Sequence, residues 1–309
     1  MILKAVVDVG RAGMRLDDGA KALFPGLSKG EIRRIIDWGG CTVAGALVRV
    51  ASRTLRERDE ICLGVMEPGR CIELIYSAAD MLYEDGEYLA VNKRSGFNSQ
   101  RTPYQLKGTV EYAVERYLKS QKLNEPARVI HRLDYGTSGV MFFPKSKRAA
   151  THISAMLKAG KVKKVYWALV SGELENDEWQ VNEPIAKRNK FRYCVAPGGS
   201  EARTLFTVLA NAQGAALVEA RPLTGRTHQI RVHLAHCGFP VIGDQAYGGI
   251  SAPRMMLHCR LMTFRAADNR EVAAMAPADD EFSRTCVEYG ITLPDKADES
   301  LAATDRRIY

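Results

Sequence analysis

Asp134 lies in the run RVIHRLDYGTSGVMFFPKSK, residues 128–147, on an Arg-Leu-Asp step that leads directly into Gly136, Thr137, Ser138 and Gly139. A mainly apolar strand follows over 140–143. A carboxylate beside a basic residue, on a loop delivered by a buried strand, is a common way to present one catalytic acid. The same arrangement also pins loops, so this segment alone leaves both readings open. A second segment, RPLTGRTHQIRVHLAHCGFPVIGDQAYGG at 221–249, supplies what such an acid would need. Residues 222–225 read as a turn, Thr224 as a helix cap, and Ile230, Leu234 and Cys237 as the apolar stripe of that helix. Gly238 and Pro240 end it. Arg231 and His228 stand three apart beside the stripe, where a half-buried guanidinium requires a carboxylate. Asp134 is an available partner.

His228, His233 and His236, with His258-Cys259 beyond, raise the question of a metal site. Five residues apart on a helix, His228 and His233 are about 140° around the axis from each other, not on one ligand-presenting face. Helix packing or nucleic-acid contact explains these histidines better, and no metal is expected. Cys259 is followed by an Arg but has no assignable base, which argues against a thiol nucleophile.

HRLDYGTSG, then KKVYWALVSG, then LTGRTHQIRVHLAHCGFPVIGD, in this order, resemble the three signature segments of the RluA-type pseudouridine synthases. The resemblance spans residues 84–283. It implies isomerisation of selected uridines in structured RNA, on an α+β catalytic domain with a mainly antiparallel mixed sheet. It further implies that Asp134 is the catalytic carboxylate and Arg231 its partner. Tyr166 would stack on the extruded uracil and assist deprotonation at C5, and Arg132 would fill the space the base leaves. Whether the acid attacks the base, attacks the sugar or abstracts a sugar proton stays open. The reaction neither gains nor loses atoms, so no cofactor is expected, and the chain has no P-loop or dinucleotide fingerprint. One carboxylate without an acidic neighbour favours isomerisation over sugar hydrolysis, which uses a pair. A non-catalytic RNA-binding or ribosome-assembly protein and a base-releasing glycosidase are the rivals; a free-uracil assay separates the second. Two departures from the family pattern are Asn92-Lys93-Arg94-Ser95-Gly96, where an Asn-Lys-Pro-Ala-Gly-like turn is usual, and the lack of His-Pro after Phe264.

Charge follows the same map. The 309 residues carry a net +8, but residues 128–265 alone hold 20 Lys and Arg against 9 Asp and Glu. A basic excess on the stretch that holds all three segments suggests a phosphate-binding surface, with Lys163, Lys164, Arg226 and His228 as contacts. The densest part runs through Lys158, Lys161, Lys187, Arg188, Lys190 and Arg192. The 7 cysteines are scattered without a Cys-x-x-Cys, as suits reduced thiols, and no apolar run is long enough for a membrane span. With no signal-type leader at the N-terminus, a cytoplasmic monomer is expected.

Three regions must position this chemistry: 1–66, 71–290 and a polar tail at 291–309, with 67–70 as linker. In the first, Leu16, Ala20, Leu23 and Phe24 mark one short helix. Ser28 and Glu31 form a capping box for a second, striped by Ile32, Ile35 and Ile36. Arg33 and Arg34 point away from the stripe as candidate RNA contacts, and strands are expected at 41–43, 48–50 and 60–63. Residues 15–63 resemble the ribosomal S-four-type RNA-binding domain, which implies a large structured RNA, ribosomal rather than transfer. Beyond the linker, a turn at 83–87, a strand at 88–91 and a helix capped by Thr109 are expected. A helix through Ile153 and Leu157, a strand at 162–170 and a hairpin of 204–210 with 215–219 follow.

Overall fold

The computed structural model describes residues 1–65, 72–102 and 104–294; the expected linker and residues 295–309 of the expected tail lie outside them. The chain divides into two compact units, residues 1–80 with 97–132, and residues 81–96 with the chain from 133 onward.

The first unit holds β1 (Ile2–Val6), α1 (Leu16–Leu23), α2 (Lys29–Asp37), β2 (Cys41–Val43), β3 (Ala46–Leu47) and β4 (Glu60–Gly64). Its sheet is antiparallel throughout, in the order β1-β4-β2-β3. Ser28 and Glu31 close the reciprocal capping box that starts α2. Ile32, Ile35 and Ile36 then pack with Leu16, Ala20, Val43, Ile61 and Leu63 in one apolar cluster. The strand expected at 48–50 forms earlier, as β3. Ala44 and Gly45 both take positive φ, a two-residue hairpin turn that returns the chain at once and leaves residues 48–50 outside the ladder. Thr109 caps α3 (Val110–Ser120) as expected, accepting a hydrogen bond from the Tyr112 N–H.

The second unit comprises β5 (Met81–Glu84), β6 (Tyr88–Lys93), β7 (Ser138–Pro144), α4 (Lys147–Lys158), β8 (Lys163–Ser171), β9 (Glu178–Val181), β10 (Ile185–Lys187) and β11 (Tyr193–Val195). It continues with β12 (Thr204–Ala212), β13 (Ala215–Pro222), α5 (Gln229–His236), β14 (Leu257–Arg265), β15 (Glu271–Met275) and α6 (Asp280–Glu288). The large sheet runs β5-β6-β7-β14-β8-β13-β12-β9, with β15 on β14, and β10 and β11 form a separate hairpin. Every pairing is antiparallel except β7 with β14, where Ser138 and Gly139 lie parallel to His258 and Cys259. The fold is thus the expected α+β architecture on a mainly antiparallel mixed sheet. Tyr83 and Glu84 belong to β5 rather than to a turn, because the Asp85 carboxylate closes a shorter turn by accepting the N–H groups of Glu87 and Tyr88. The β12–β13 turn is likewise tighter than expected, with Gln213 and Gly214 both at positive φ. The core sits on β8 and β13, whose residues 167–170 and 215–218 are buried, and α5 and α6 add Ile230, Leu234, Phe282 and Cys286 to it. Among the described residues no helix is long and apolar enough to cross a membrane.

Candidate active site

Asp134 stands at the head of a tight turn, in which the Thr137 N–H donates to the Asp134 carbonyl at 3.1 Å, just before β7 begins. The turn is anchored from behind by the end of β6. Lys93 is fully buried, and its Nζ donates to the carbonyls of Thr137 (2.6 Å), Arg94 (3.1 Å) and Tyr135 (3.2 Å). Burial drives its pKa down to about 7; nearby Asp134 opposes that shift and Arg254 adds to it. Ser95 Oγ donates to the Gly136 carbonyl at 2.9 Å, and the Gly96 N–H to that of Tyr135 at 2.8 Å. The unusual Arg94-Ser95 pair therefore still holds the turn.

The turn glycines differ in role. Gly139 has φ +113°, and a Cβ there would meet the Cys259 carbonyl oxygen at 2.1 Å, so no other residue fits. Gly136 has no positive φ; its bare Cα leaves room for Met255. The Ser138 hydroxyl bonds two side chains, His258 Nδ1 at 2.8 Å and Arg254 Nη2 at 3.2 Å.

Helix α5 supplies the counter-charge. Thr224 is not its cap. Gln229 pins the preceding turn, accepting from Thr224 Oγ1 and the Arg226 N–H and donating to the Arg203 carbonyl. His228, at φ 58°, takes the cap position with no capping side chain. Gly238 follows the helix at positive φ, as expected for its end. From this helix the buried Arg231 sends Nη1 to Asp134 Oδ2 at 2.7 Å. Its Nε and Nη2 grip Asp244 at 2.6 and 2.9 Å. Burial alone would weaken the guanidinium's hold on its proton, but the two carboxylates outweigh it and keep Arg231 charged. The Tyr247 ring lies 4.8 Å from the guanidinium carbon. His228 approaches the same carboxylate, Nε2 3.7 Å from Oδ2, while its Nδ1 meets the Tyr247 hydroxyl at 2.8 Å. Asp134 Oδ1 accepts no hydrogen bond among the described residues, and the side chain keeps 19% exposure.

Tyr166 sits on β8 between Ala220 of β13 and Cys259 of β14. Burial raises its pKa well above the ordinary phenol value, with the Cys259 thiol and the Asp134 carboxylate adding to the shift. Asp134, Arg231 and His228 are thus brought together, and Tyr166 lies within electrostatic reach of the Asp134 carboxylate. Its strand neighbour Trp167 faces the other way, beneath the Arg260 guanidinium at 4.9 Å. Arg132 and Lys163 are exposed, Lys164 is partly buried, and Arg226 is exposed with Nε on the Glu201 carbonyl. In the first unit Arg34 is exposed, whereas Arg33 spends its Nε on Asp17 at 2.7 Å. His233 packs between Thr204 Oγ1 and the Glu183 carbonyl.

Sequence reasoning missed Asp244, Tyr247 and Lys93. For Asp244 a signal existed: it is the only acid between Glu219 and Asp268, just after Gly243, whose φ is +82°. Nothing in the sequence marked Lys93 as buried.

One buried arginine thus holds Asp134 and Asp244 beside the half-buried Tyr166, His228 and Tyr247. The RNA pseudouridylate synthase family model matches residues 87–236. The large subunit pseudouridine synthase C of Vibrio vulnificus is 32% identical over 78% of this chain and 79% of its own length. The large subunit pseudouridine synthase D of Haemophilus ducreyi is 32% identical over 82% of this chain and 78% of its own. Among solved structures, human RNA pseudouridylate synthase domain containing 4 aligns with TM-score 0.61 at 23% identity, over 70% of this chain and 95% of that one, a likeness of fold. The chain belongs to the RluA-type RNA pseudouridine synthases, isomerases that convert uridine in RNA to pseudouridine.

Proposed function

We propose that Asp134 is the catalytic carboxylate of this synthase and that its target uridine lies in ribosomal RNA. The observation that carries the first statement is the asymmetry of the carboxylate: Oδ2 is held by Arg231, while Oδ1 is left for substrate. When a flipped nucleotide excludes water, the site needs a fixed positive charge to offset that of the carboxylate. A guanidinium fixed by Asp244 keeps a positive charge beside Oδ2 without moving.

Ribosomal RNA is supported by the relatives, which are named for the large ribosomal subunit. The C1′–N1 bond breaks, the uracil turns, C1′ joins C5, and the proton lost from C5 is balanced by one gained at N1. Tyr166, kept protonated by its surroundings, is suited to stacking under the uracil and passing a proton in concert, not to standing as a phenolate. Arg132 would fill the vacated stack, and Lys163, Lys164, Arg226 and His228 would meet phosphates near the site. The first unit, through Arg34 and the outward part of Arg33, would add RNA contacts in the manner of an S-four-type module. The protein would act as a cytoplasmic monomer.

The test is Asp134→Asn. It should bind ribosomal RNA transcripts within about twofold of wild type, while pseudouridine formation falls at least about a thousandfold. Substantial residual turnover would remove Asp134 from this role.

A further inference from the structure

The β10–β11 hairpin carries Lys187, Arg188, Lys190 and Arg192, and it grows out of the wall of the site. Ile185 at its root packs with Val232 of α5, the residue after Arg231. The Tyr193 N–H donates to the Tyr247 hydroxyl at 3.0 Å, and the Tyr193 ring meets the His228 ring edge-on at 5.5 Å. His228 and Tyr247 are the groups that touch Asp134 and Arg231. Two residues before Tyr193, in the turn that precedes β11, is Phe191, at 74% exposure.

The tip is a built turn. Asn189 Oδ1 accepts the N–H groups of Phe191 (2.9 Å) and Arg192 (3.0 Å), and the Arg188 N–H donates to the Arg192 carbonyl. That closure holds the Phe191 backbone at the apex. Lys187, Arg188, Lys190 and Arg192 surround it, all exposed and none in an ion pair among the described residues. Lys190 Nζ lies 5.4 Å from the Phe191 ring centroid. A tip selected only for solubility has no use for a bare phenyl ring, whereas an aromatic among unpaired cations is the pattern that grips single-stranded nucleic acid.

We propose that this tip is an RNA contact, in which Phe191 stacks on an unpaired base near the target uridine and the four cations hold flanking phosphates. The proposal rests on the reading of the Asp134 site as the place of RNA modification, and it adds a positioning residue outside that site.

The experiment titrates the full-length protein with a fluorescein-labelled stem-loop RNA of mixed loop sequence, over a salt series. Loss of one base stack predicts that Phe191→Ala weakens binding about 5- to 150-fold with the slope of log K against log salt unchanged. Phe191→Trp should restore affinity. Arg188→Ala should instead flatten the slope by about 0.7 to 0.9. Unchanged affinity in Phe191→Ala, or failure of Trp to restore it, overturns the stacking role. Unchanged affinity with altered oligomeric mass would assign the tip to protein contact and overturn it equally. Pseudouridine formation by wild type and Asp134→Asn on ribosomal RNA transcripts reports separately on the site, so either reading can fail while the other stands.

Discussion

The tripeptide Arg-Leu-Asp occurs at residues 15–17 and again at 132–134, and the two copies end in different chemistry. Both leucines are buried. Asp17 is wholly enclosed and both its oxygens are taken, Oδ1 by Arg15 Nε at 3.0 Å and Oδ2 by Arg33 Nε at 2.7 Å. Lys29 stands 3.9 Å from Oδ2. Burial raises the pKa of Asp17, but the Arg15 and Arg33 hydrogen bonds overcome it and bring it to about 2. Asp134 has one oxygen held and one open, and the arginine two residues before it, Arg132, is exposed. An arginine beside an aspartate therefore does not mark a reactive acid. We propose that the mark is instead a carboxylate left half-satisfied by an arginine that is itself anchored elsewhere.

Asp244 is that other anchor, and its removal tests the distinction most severely. Asp134→Asn leaves Arg231 with its two bonds to Asp244, so it should cost less than about 1 kcal/mol of stability while abolishing turnover. Asp244→Ala removes two of the three bonds of a buried guanidinium, leaving it only the partly exposed Asp134, and should destabilise by about 3 kcal/mol. Guanidinium denaturation of both variants, with turnover measured at low temperature, checks the pair. If Asp134→Asn proved the more destabilising, Asp134 would resemble Asp17 and the contrast would collapse.

How far this was legible follows from the physics of each part. Asp134, Tyr166 and Arg231 could be singled out as candidates because each lies in a long, ordered segment. Period-2 and period-3.6 patterns and a capping box likewise located α2, α3, β8 and the β12–β13 hairpin. Lys93 was not readable, since a lysine ends an apolar strand in many proteins without being buried. Its enclosure depends on β7 and the turn at 134–137, which sequence does not juxtapose. The Thr224 cap failed because Gln229 competes for the same turn, with Thr224 donating to it. The strand at 48–50 failed because Ala44-Gly45 makes a tighter turn than the hydrophobic pattern suggests.

The support behind Asp134 also has a pH signature that Asp17 lacks. His258 is fully buried, with Nδ1 on the Ser138 hydroxyl and Nε2 on the Ala276 carbonyl, a set that satisfies one neutral tautomer. Burial brings its pKa down to about 4; Arg254 and Arg260 add to that, while the Ala276 carbonyl and Asp279 resist it. Below pH 6.5 the unfolded chain takes up a proton that the folded chain refuses until about pH 4. This stabilisation is present above pH 6.5 and is lost as pH falls to about 4, about 3 kcal/mol in all. Denaturation from pH 7 to 4 should show the loss in wild type and a shallower one in His258→Gln. Parallel curves would mean that His258 is not the source of this pH dependence.

Asp17→Asn is the smallest expected effect and the sharpest control. The variant keeps a side chain that can accept from Arg15 or Arg33, so the loss is the charge-assisted part of those bonds, about 2 kcal/mol. The sign is set by a folded pKa lowered to about 2: the carboxylate's contribution is full above the ordinary value of 3.8 and disappears as pH falls through about 2. Wild type and variant should therefore differ in denaturation midpoint at pH 7 and converge near pH 2. Turnover per folded molecule should not change, because this Arg-Leu-Asp holds α1 against α2 through Arg33 and Lys29 and presents no open oxygen. A fall in turnover without a fall in stability would show that the enclosed aspartate also serves the reaction, and enclosure could no longer separate the two copies.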